Sequence, residues 1–546
     1  MKICIISLSK NAASRLERHD GLPDPTHYIP QYRHEFVDRQ VTKHNAQYEI
    51  DKLCCESFDA FMNCMVGRLC TSYFRFGHSP VIQGVDVDGI EATKHLESKN
   101  VTILTNPSSL LATSKLDLRD DANEPAFKTP HNTYGKYPKI VKYFDKSGSL
   151  GLDRNFVCYN EQAVRERITL LREQDPTFGI LVQDYIFGDE CAAVVIDLGR
   201  HVIALSPVKF VFPVSTSADA EFLTRDDKNG SVTAREISHV IIEGELRERL
   251  QWSAVNAFKN IKASYQGAFA HVTMRVERNT GNIYVIDVDF NPYIFNRKGY
   301  RFDGDFMLEA TFPGKQEAFL DTILTIKRSQ LGSNKSRITH TAAVYDSWSD
   351  TYDEFWESTN VSKIQQFTVA NFDFTGSVLD LACGTGVFGR ILHAHGAKTT
   401  GIVGVEISAG MLCAADIKKY YKKPLWNCSM QEYVMENVEF DHVVCFGALL
   451  FLDADELNTV LARMFMMARK SLTMEVDNLD SNVIETMQKG AGDHCFIENH
   501  FQMVERFGVP NGWKLVYKQD GPLFPSPTSQ GNVEGYIVRF EKLNSR

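Results

Sequence analysis

The sequence has no hydrophobic run long enough to cross a bilayer. Its longest apolar stretch, "VVCFGALLFL" from Val443 to Leu452, falls well short of the roughly 20 residues that a spanning helix needs. It has no excess of positive charge: 59 Lys and Arg stand against 69 Asp and Glu, for a net charge of -10. No chain-wide field therefore draws it to nucleic acid or to an anionic membrane surface. Its twelve cysteines include no paired C-x-x-C spacing for zinc or thiol exchange, and reduced thiols in a cytoplasmic protein are the simplest reading. Internal repeats and long low-complexity tracts are missing too. The opening "MKICIISLS" has an apolar part at the lower limit for a secretory signal, and Lys10, Arg15 and Glu17 follow it. It reads as a first buried strand of a soluble protein.

What is present is length. At 546 residues the chain exceeds what one core supports, and about 150 residues per domain predicts three or four units. One composition shift stands out, "KRSQLGSNKSR" from Lys327 to Arg337, which is basic, polar and poor in large apolar residues. It reads as a linker, taken as 329–337.

After it, "SVLDLACGTGVFGRILHAHG" (Ser377 to Gly396) runs from a short apolar strand through a glycine-containing turn into a helical pattern. Gly384 and Gly386 would let backbone approach a ligand at the carboxyl edge of a parallel sheet. A second strand, "GIVGVEIS", ends in Glu406, placed to accept both hydroxyls of a ribose. This constellation resembles the class I S-adenosylmethionine-dependent methyltransferases: "VLDLACGTG" is similar to their motif I, "VGVEISAGML" to the acidic segment that follows, and "YDSWSDTYDEFW" to the N-terminal cap of small-molecule members. The resemblance covers about 338–546. It implies a Rossmann-like doubly wound domain in which Asp380 and the turn Gly384 to Gly386 hold the methionine part and Glu406 the ribose. Met411, Met430 and Gln431 would border adenine, and Phe446 with Gly447 would line the methyl-transfer channel. Tyr345 and Tyr352 would close over the cofactor, and Ala382 stands where the family usually has Gly. The acceptor's base is harder to read. His494 in "AGDHCFIENHF" is the candidate, with Glu475 and Asp477 in "TMEVDN" as alternatives that would serve as base or bind substrate.

Before the linker, "GNIYVIDVDFNP" (Gly281 to Pro292) reads as a strand on which Asp287, Asp289 and Asn291 share one face by alternation. Like charges that close repel unless a cation sits among them, and magnesium takes oxygen ligands and bridges phosphates. Upstream, "KYPKIVKYFDKSGSLGL" is a strand carrying Lys142, then a turn with Ser147, Gly148 and Ser149 suited to polyphosphate. "ILVQDYIFGDECAAVVID" gives strand, bend and strand with Glu190 just past the bend.

In this order the segments resemble the ATP-grasp superfamily, especially the D-alanine-D-alanine-ligase-like carboxylate-amine ligases. The resemblance implies an N-terminal lobe at 1–112, a central lid lobe at 113–190 and a C-terminal lobe with the metal strand at 191–328. Lys142, Ser147, Gly148, Ser149 and Lys209 would face the nucleotide's phosphates, and Lys115 would be the family's earlier nucleotide lysine. Gln183, Asp184 and Ile186 would lie beside adenine, Glu190 on ribose, and Asp287, Asp289 and Asn291 on magnesium. The family usually has one more acid a strand earlier, where this chain has Thr273. The resemblances together imply a bifunctional small-molecule biosynthetic enzyme using ATP, magnesium and S-adenosylmethionine. It would join a small-molecule carboxylate to an amine through an acyl phosphate and methylate an amino-acid-derived or peptide-like product. A homodimer is compatible with this. Two alternatives stand beside it: a methyltransferase whose ATP-grasp half only binds or dimerises, and an ATP-grasp kinase fused to a methyltransferase.

Overall fold

The computed structural model describes residues 2–8, 35–41, 46–63, 130, 132–143, 157–174, 180–199, 201–214, 216–217, 220–224, 227, 235–260, 267–290, 292, 294, 303–330, 335–491, 496–526, 528–529 and 531–543. The chain divides into two α/β units, 1–310 and 311–546.

Among the described residues, the first unit contains three sheets. Strands β1 (Lys2–Leu8), β2 (Glu35–Val41) and β3 (Ala60–Asn63) form a parallel sheet in the order β2-β1-β3, beside helix α1 (Ala46–Cys54). The opening apolar segment is thus a strand, with Ile3, Cys4 and Ile6 buried. Strands β4 (Lys139–Tyr143), β5 (Val157–Cys158) and β6 (Ile180–Asp184) make an antiparallel sheet in the order β5-β4-β6. Val164 and Leu171 of α2 (Glu161–Gln174) join Val141 and Tyr143 in its core.

The largest sheet of this unit is antiparallel. It runs β10 (Ser238–Ile241), β9 (Val208–Val211), β7 (Gly188–Asp197), β11 (Phe269–Glu277), β12 (Ile283–Asp289), with β8 (Val202–Ala204) paired to β7. One face packs on α3 (Gly244–Asn260), whose Leu250, Ala254, Ala257 and Phe258 meet Val272, Met274, Val285 and Val288. Strict alternation along β12 would put Asp287 on the face of Val285. The register instead pairs Met274 with Val285 but Thr273 with Asp287, leaving Ile286 as an extra residue. That bulge reverses the facing of everything after it. Val285 and Val288 both enter the core, and Asp287 and Asp289 both turn to the opposite face, across from Thr273 and His271.

The second unit is a doubly wound sheet: β13 (Gly376–Leu381), β14 (Thr399–Glu406), β15 (Trp426–Asn427), β16 (Phe440–Cys445), β17 (Ala468–Asn478), β18 (Trp513–Pro525) and β19 (Asn532–Lys542) lie in the order β15-β14-β13-β16-β17-β19-β18. The first five strands are parallel, and β18 and β19 run antiparallel to their neighbours. Strands covered on both faces read as continuous apolar runs, as "VLDL" and "HVVC" do; Val378, Leu379, Val443 and Val444 have no exposed surface. Strand order reverses at β13, so a crevice forms at the carboxyl ends beside it.

The stretch expected as a linker is helical on both sides of residues 331–334. Helix α4 (Lys315–Gln330) includes Lys327 and Arg328, and α5 (Lys335–Trp348) includes Arg337. The polar composition there reflects ion pairing. Arg328 lies 3.3 Å from Asp453 and Arg337 lies 2.5 Å from Glu456, at the start of α6 (Ala454–Met467). Asn458 of α6 also donates to buried Asp321 of α4 at 2.8 Å, which ties α4 to the second unit.

Candidate functional site

At the carboxyl edge of the second unit's sheet is a cavity of about 740 Å³, open space at its mouth included. Tyr345, Tyr352, Ala382, Gly384, Glu406, Met411, Met430, Gln431 and Phe446 line it. Nine of the eleven residues that the sequence assigns to S-adenosylmethionine therefore meet in one place.

Glu406 ends β14 with both oxygens occupied by loop backbone. Gly384 N–H donates to Oε2 and Ser408 N–H to Oε1, each at 2.9 Å. Burial pushes its carboxyl up, and those N–H groups offset only part of that rise. Ser408 also donates to Asp346 at 2.5 Å, and Thr385 donates to Asp353. Two acids from the segment before β13 thus fasten the loops after β13 and β14. The aromatic roof is continuous: Tyr345 meets Tyr352 edge-on at 6.2 Å, and Tyr352 stacks on Trp356 at 5.9 Å.

Asp380 and Gly386 are placed beneath the cavity rather than around it. Tyr421 donates to Asp380 at 2.5 Å and accepts from Gly389 N–H at 3.1 Å. Burial, with Glu406 adding to it, pushes Asp380 up to about 7. A side chain at Gly386 would meet Ile417 backbone at 3.0 Å and the Tyr421 ring at 3.1 Å, so this glycine serves packing under the turn. Of these two turn glycines it is Gly384 that faces the cavity, with the Tyr352 ring 3.5 Å from a Cβ placed there.

Ala382 has φ 60, a left-handed conformation costing an L residue about 1–2 kcal/mol. Ala382→Gly is expected to raise stability by about 1 kcal/mol, after the greater freedom of glycine in the unfolded chain is deducted. Denaturant midpoints measure this; an unchanged or lower midpoint would contradict it.

Glu475 and Asp477, two residues apart on β17, are 1% and 4% exposed. Burial, then Asp477, drives Glu475 well above the carboxylate range, and burial pushes Asp477 up to about 7. The stability consequence has a definite sign. An unfolded Asp titrates near about 3.9, so between there and pH 7 the folded state holds more protons. The stabilisation is complete below about pH 4 and is lost as pH rises through about 7. Asp477→Asn is therefore expected to be more stable than the parent at pH 8, by on the order of a few kcal/mol, with the difference shrinking at pH 5. Thermal midpoints of both proteins at both pH values decide it.

Sequence reasoning did not single out Arg337 and Thr341, which line the cavity from α5. Their i, i+4 spacing, continued to Tyr345, was the available signal. His494, the proposed base, lies outside the described residues.

In the first unit, Glu190 of β7 accepts from Leu223 N–H at 3.2 Å and lies 3.3 Å from Arg275 of β11. Arg275 is buried, donates to Gly188 C=O at 2.7 Å and sits over the Tyr185 ring at 5.1 Å. Lys142 is buried on β4, Ile186 is buried past β6, and Lys209 is 2.6 Å from Asp189. The side chains of Gln183 and Asp184 turn inward: Gln183 donates to Pro130 C=O at 3.2 Å, and Asp184 binds Lys139 at 2.5 Å and Thr133 at 2.7 Å. Lys115, Ser147, Gly148, Ser149 and Asn291 lie outside the described residues. No group of three or more His, Cys, Asp or Glu is gathered for a metal among the described residues. Asp287 and Asp289 on one face still suit magnesium, which takes one or two carboxylates and completes its shell with phosphate and water.

A family model described as a methyltransferase domain matches residues 378–471, the segment from β13 into β17. No curated protein matches the chain by sequence. Among solved structures, a D-alanine-D-alanine ligase from Coxiella burnetii is similar at 12% identity, covering 62% of this chain and 96% of its own, with a TM-score of 0.40. A D-Ala:D-Ser ligase from Enterococcus faecalis is similar at 14% identity over 60% of this chain and 99% of its own, TM-score 0.36. Magnesium protoporphyrin IX methyltransferase from Synechocystis PCC 6803 is similar at 16% identity over 34% of this chain and 82% of its own, TM-score 0.26.

Proposed function

We propose that the chain is a two-part biosynthetic enzyme. Its second unit transfers a methyl group from S-adenosylmethionine to an amino-acid-derived or peptide-like metabolite. Its first unit uses ATP and magnesium to join a small-molecule carboxylate to an amine through an acyl phosphate. The observation carrying the reading is the cavity beside the strand-order reversal, in a segment that matches a methyltransferase model, with Glu406 at the end of β14.

S-adenosylmethionine brings a methyl group already activated on a sulfonium, so the protein's task is binding and alignment. Glu406 accepts ribose hydroxyls, Met411 and Met430 border the base, and Tyr345 and Tyr352 exclude water over the reacting centre. In the first unit, Lys142 would neutralise phosphate, Glu190 would accept from ribose, and Asp287 and Asp289 would hold the metal, whose charge would offset that of the phosphates.

A second reading has an observation in its favour. Thr273 stands opposite Asp287 where the resemblance implies an acid, and Glu190 is already paired with Arg275. On that reading the first unit only binds or dimerises.

Calorimetric titration of the intact chain tests both units. S-adenosylmethionine is expected to bind without ATP, and ATP to bind in a magnesium-dependent manner. Absence of S-adenosylmethionine binding sinks the methyltransferase assignment; absence of ATP binding at millimolar concentration establishes the second reading. Orthophosphate release with amide formation separates ligation from simple phosphorylation.

A further inference from the structure

Glu475 and Asp477 have a geometry that cofactor binding does not use. They share one face of β17, Glu475 paired across to Ile537 and Asp477 to Gly535 of β19. Oε2 of Glu475 and Oδ1 of Asp477 are enclosed and accept no hydrogen bond among the described residues. The Gly447 N–H acts on the Glu475 carboxylate, and the Glu475 charge is felt at the Tyr352 hydroxyl. Gly447 and Tyr352 both line the cavity, so Glu475 lies directly behind the wall they form, with Asp477 two residues on along the same strand face.

In ionised form, a buried carboxylate oxygen without a donor is costly, and two together more so, which holds the pair toward its protonated form until a cation meets it. The guanidinium on this face, Arg539, pairs one step further along and is already engaged by Thr473 at 3.1 Å, Asp373 C=O at 2.9 Å and Glu541 at 3.3 Å. Among the described residues, no cation acts on Glu475. A hydroxyl would donate to one oxygen and leave the second unmet. A divalent metal would find two carboxylates and an apolar strand, far from the six oxygens it takes. An ammonium has three N–H donors and one positive charge, and aromatic faces at Tyr352 and Trp356 are stacked beside the site.

We propose that Glu475 and Asp477 bind the methyl acceptor as a primary or secondary ammonium, which makes the second unit an amine N-methyltransferase. The inference rests on the methyltransferase reading. The ammonium gives one proton to the carboxylate pair, which frees its lone pair. That pair forms the new N–C bond as the S–C bond breaks, and the electrons of the broken bond remain on sulfur as a neutral thioether. The methylated nitrogen carries the positive charge away, and the proton on the carboxylate pair passes to solvent.

The test uses the intact chain saturated with S-adenosylhomocysteine. A panel of amino acids, their decarboxylated amines and dipeptides is compared by thermal shift with hydroxyl analogues of the same amines. At least one amine is expected to raise the midpoint further while its hydroxyl analogue does not. Glu475→Gln and Asp477→Asn are expected to raise KM for that amine by about tenfold or more, with S-adenosylhomocysteine affinity unchanged. Methyl-13C label is expected on nitrogen. Equal response to amine and alcohol, no response to any amine, an unchanged KM in both variants, or label on oxygen, sulfur or carbon each overturns the proposal. In those cases a retained S-adenosylhomocysteine response keeps the methyltransferase reading; loss of that response removes the reading itself.

Discussion

Glu406→Ala is expected to loosen S-adenosylmethionine by about a hundredfold or more, measured by calorimetry on the intact chain. On the reading proposed above, the side chain acts on the cofactor twice. Directly, it would supply the charged acceptor for ribose, and hydrogen bonds to charged groups contribute about 1.5–3 kcal/mol each. Indirectly, it holds Gly384 N–H and Ser408 N–H at 2.9 Å, and so sets the separation of the two loops between which the nucleoside lies. Alanine removes both effects and leaves those N–H groups to water. Glu406→Gln keeps the shape but turns an amide NH₂ toward one of two N–H donors, so it is expected to recover only part of the affinity. Affinity within threefold of the parent for the alanine variant would show that Glu406 is a loop brace without a cofactor role.

The sequence carried much of the second unit because its signals are local. A parallel strand buried on both faces, the turn after it and an acid at the end of the next strand all occur within thirty residues of one another, from Ser377 to Glu406. What escaped was set by partners far along the chain. Arg337 looks like linker until Glu456 is brought within 2.5 Å. Gly386 reads as a ligand-facing glycine until Tyr421 packs beneath it. Asp346 and Asp353, within "YDSWSDTYDEFW", carry no signal of their own until they accept from Ser408 and Thr385.

The first unit shows the same division. Period-two patterning indicates that Asp287 and Asp289 share a face, but it cannot show that Ile286 bulges to take them off the face of Val285. That depends on the register with β11, whose residues lie 7–18 positions earlier in the pairing. Arg275 likewise carries no nucleotide signal in sequence. It becomes relevant because β11 lies between β7 and β12, which sets its guanidinium against Glu190.

Loss of both acids on β12 is the second large effect. In the parent, ATP with magnesium is expected to stabilise the chain by about 2.7 kcal/mol when ATP is about one hundred times its dissociation constant. Asp287→Ala combined with Asp289→Ala is expected to remove this magnesium-dependent part and to leave the small effect of metal-free ATP as it was. The selectivity follows from placement: both acids face away from the apolar core of α3, Val285 and Val288, so their removal opens no cavity there. A response to magnesium and ATP that survives in the double variant would remove metal binding from β12. Thr273→Asp sharpens the comparison, because Thr273 is the direct cross-strand partner of Asp287. Two carboxylates so paired repel in the absence of metal and attract it when present. The variant should therefore be less stable than the parent in chelator and should gain more from magnesium-ATP; a loss in both conditions would mean that this face of β11 and β12 does not hold the cation.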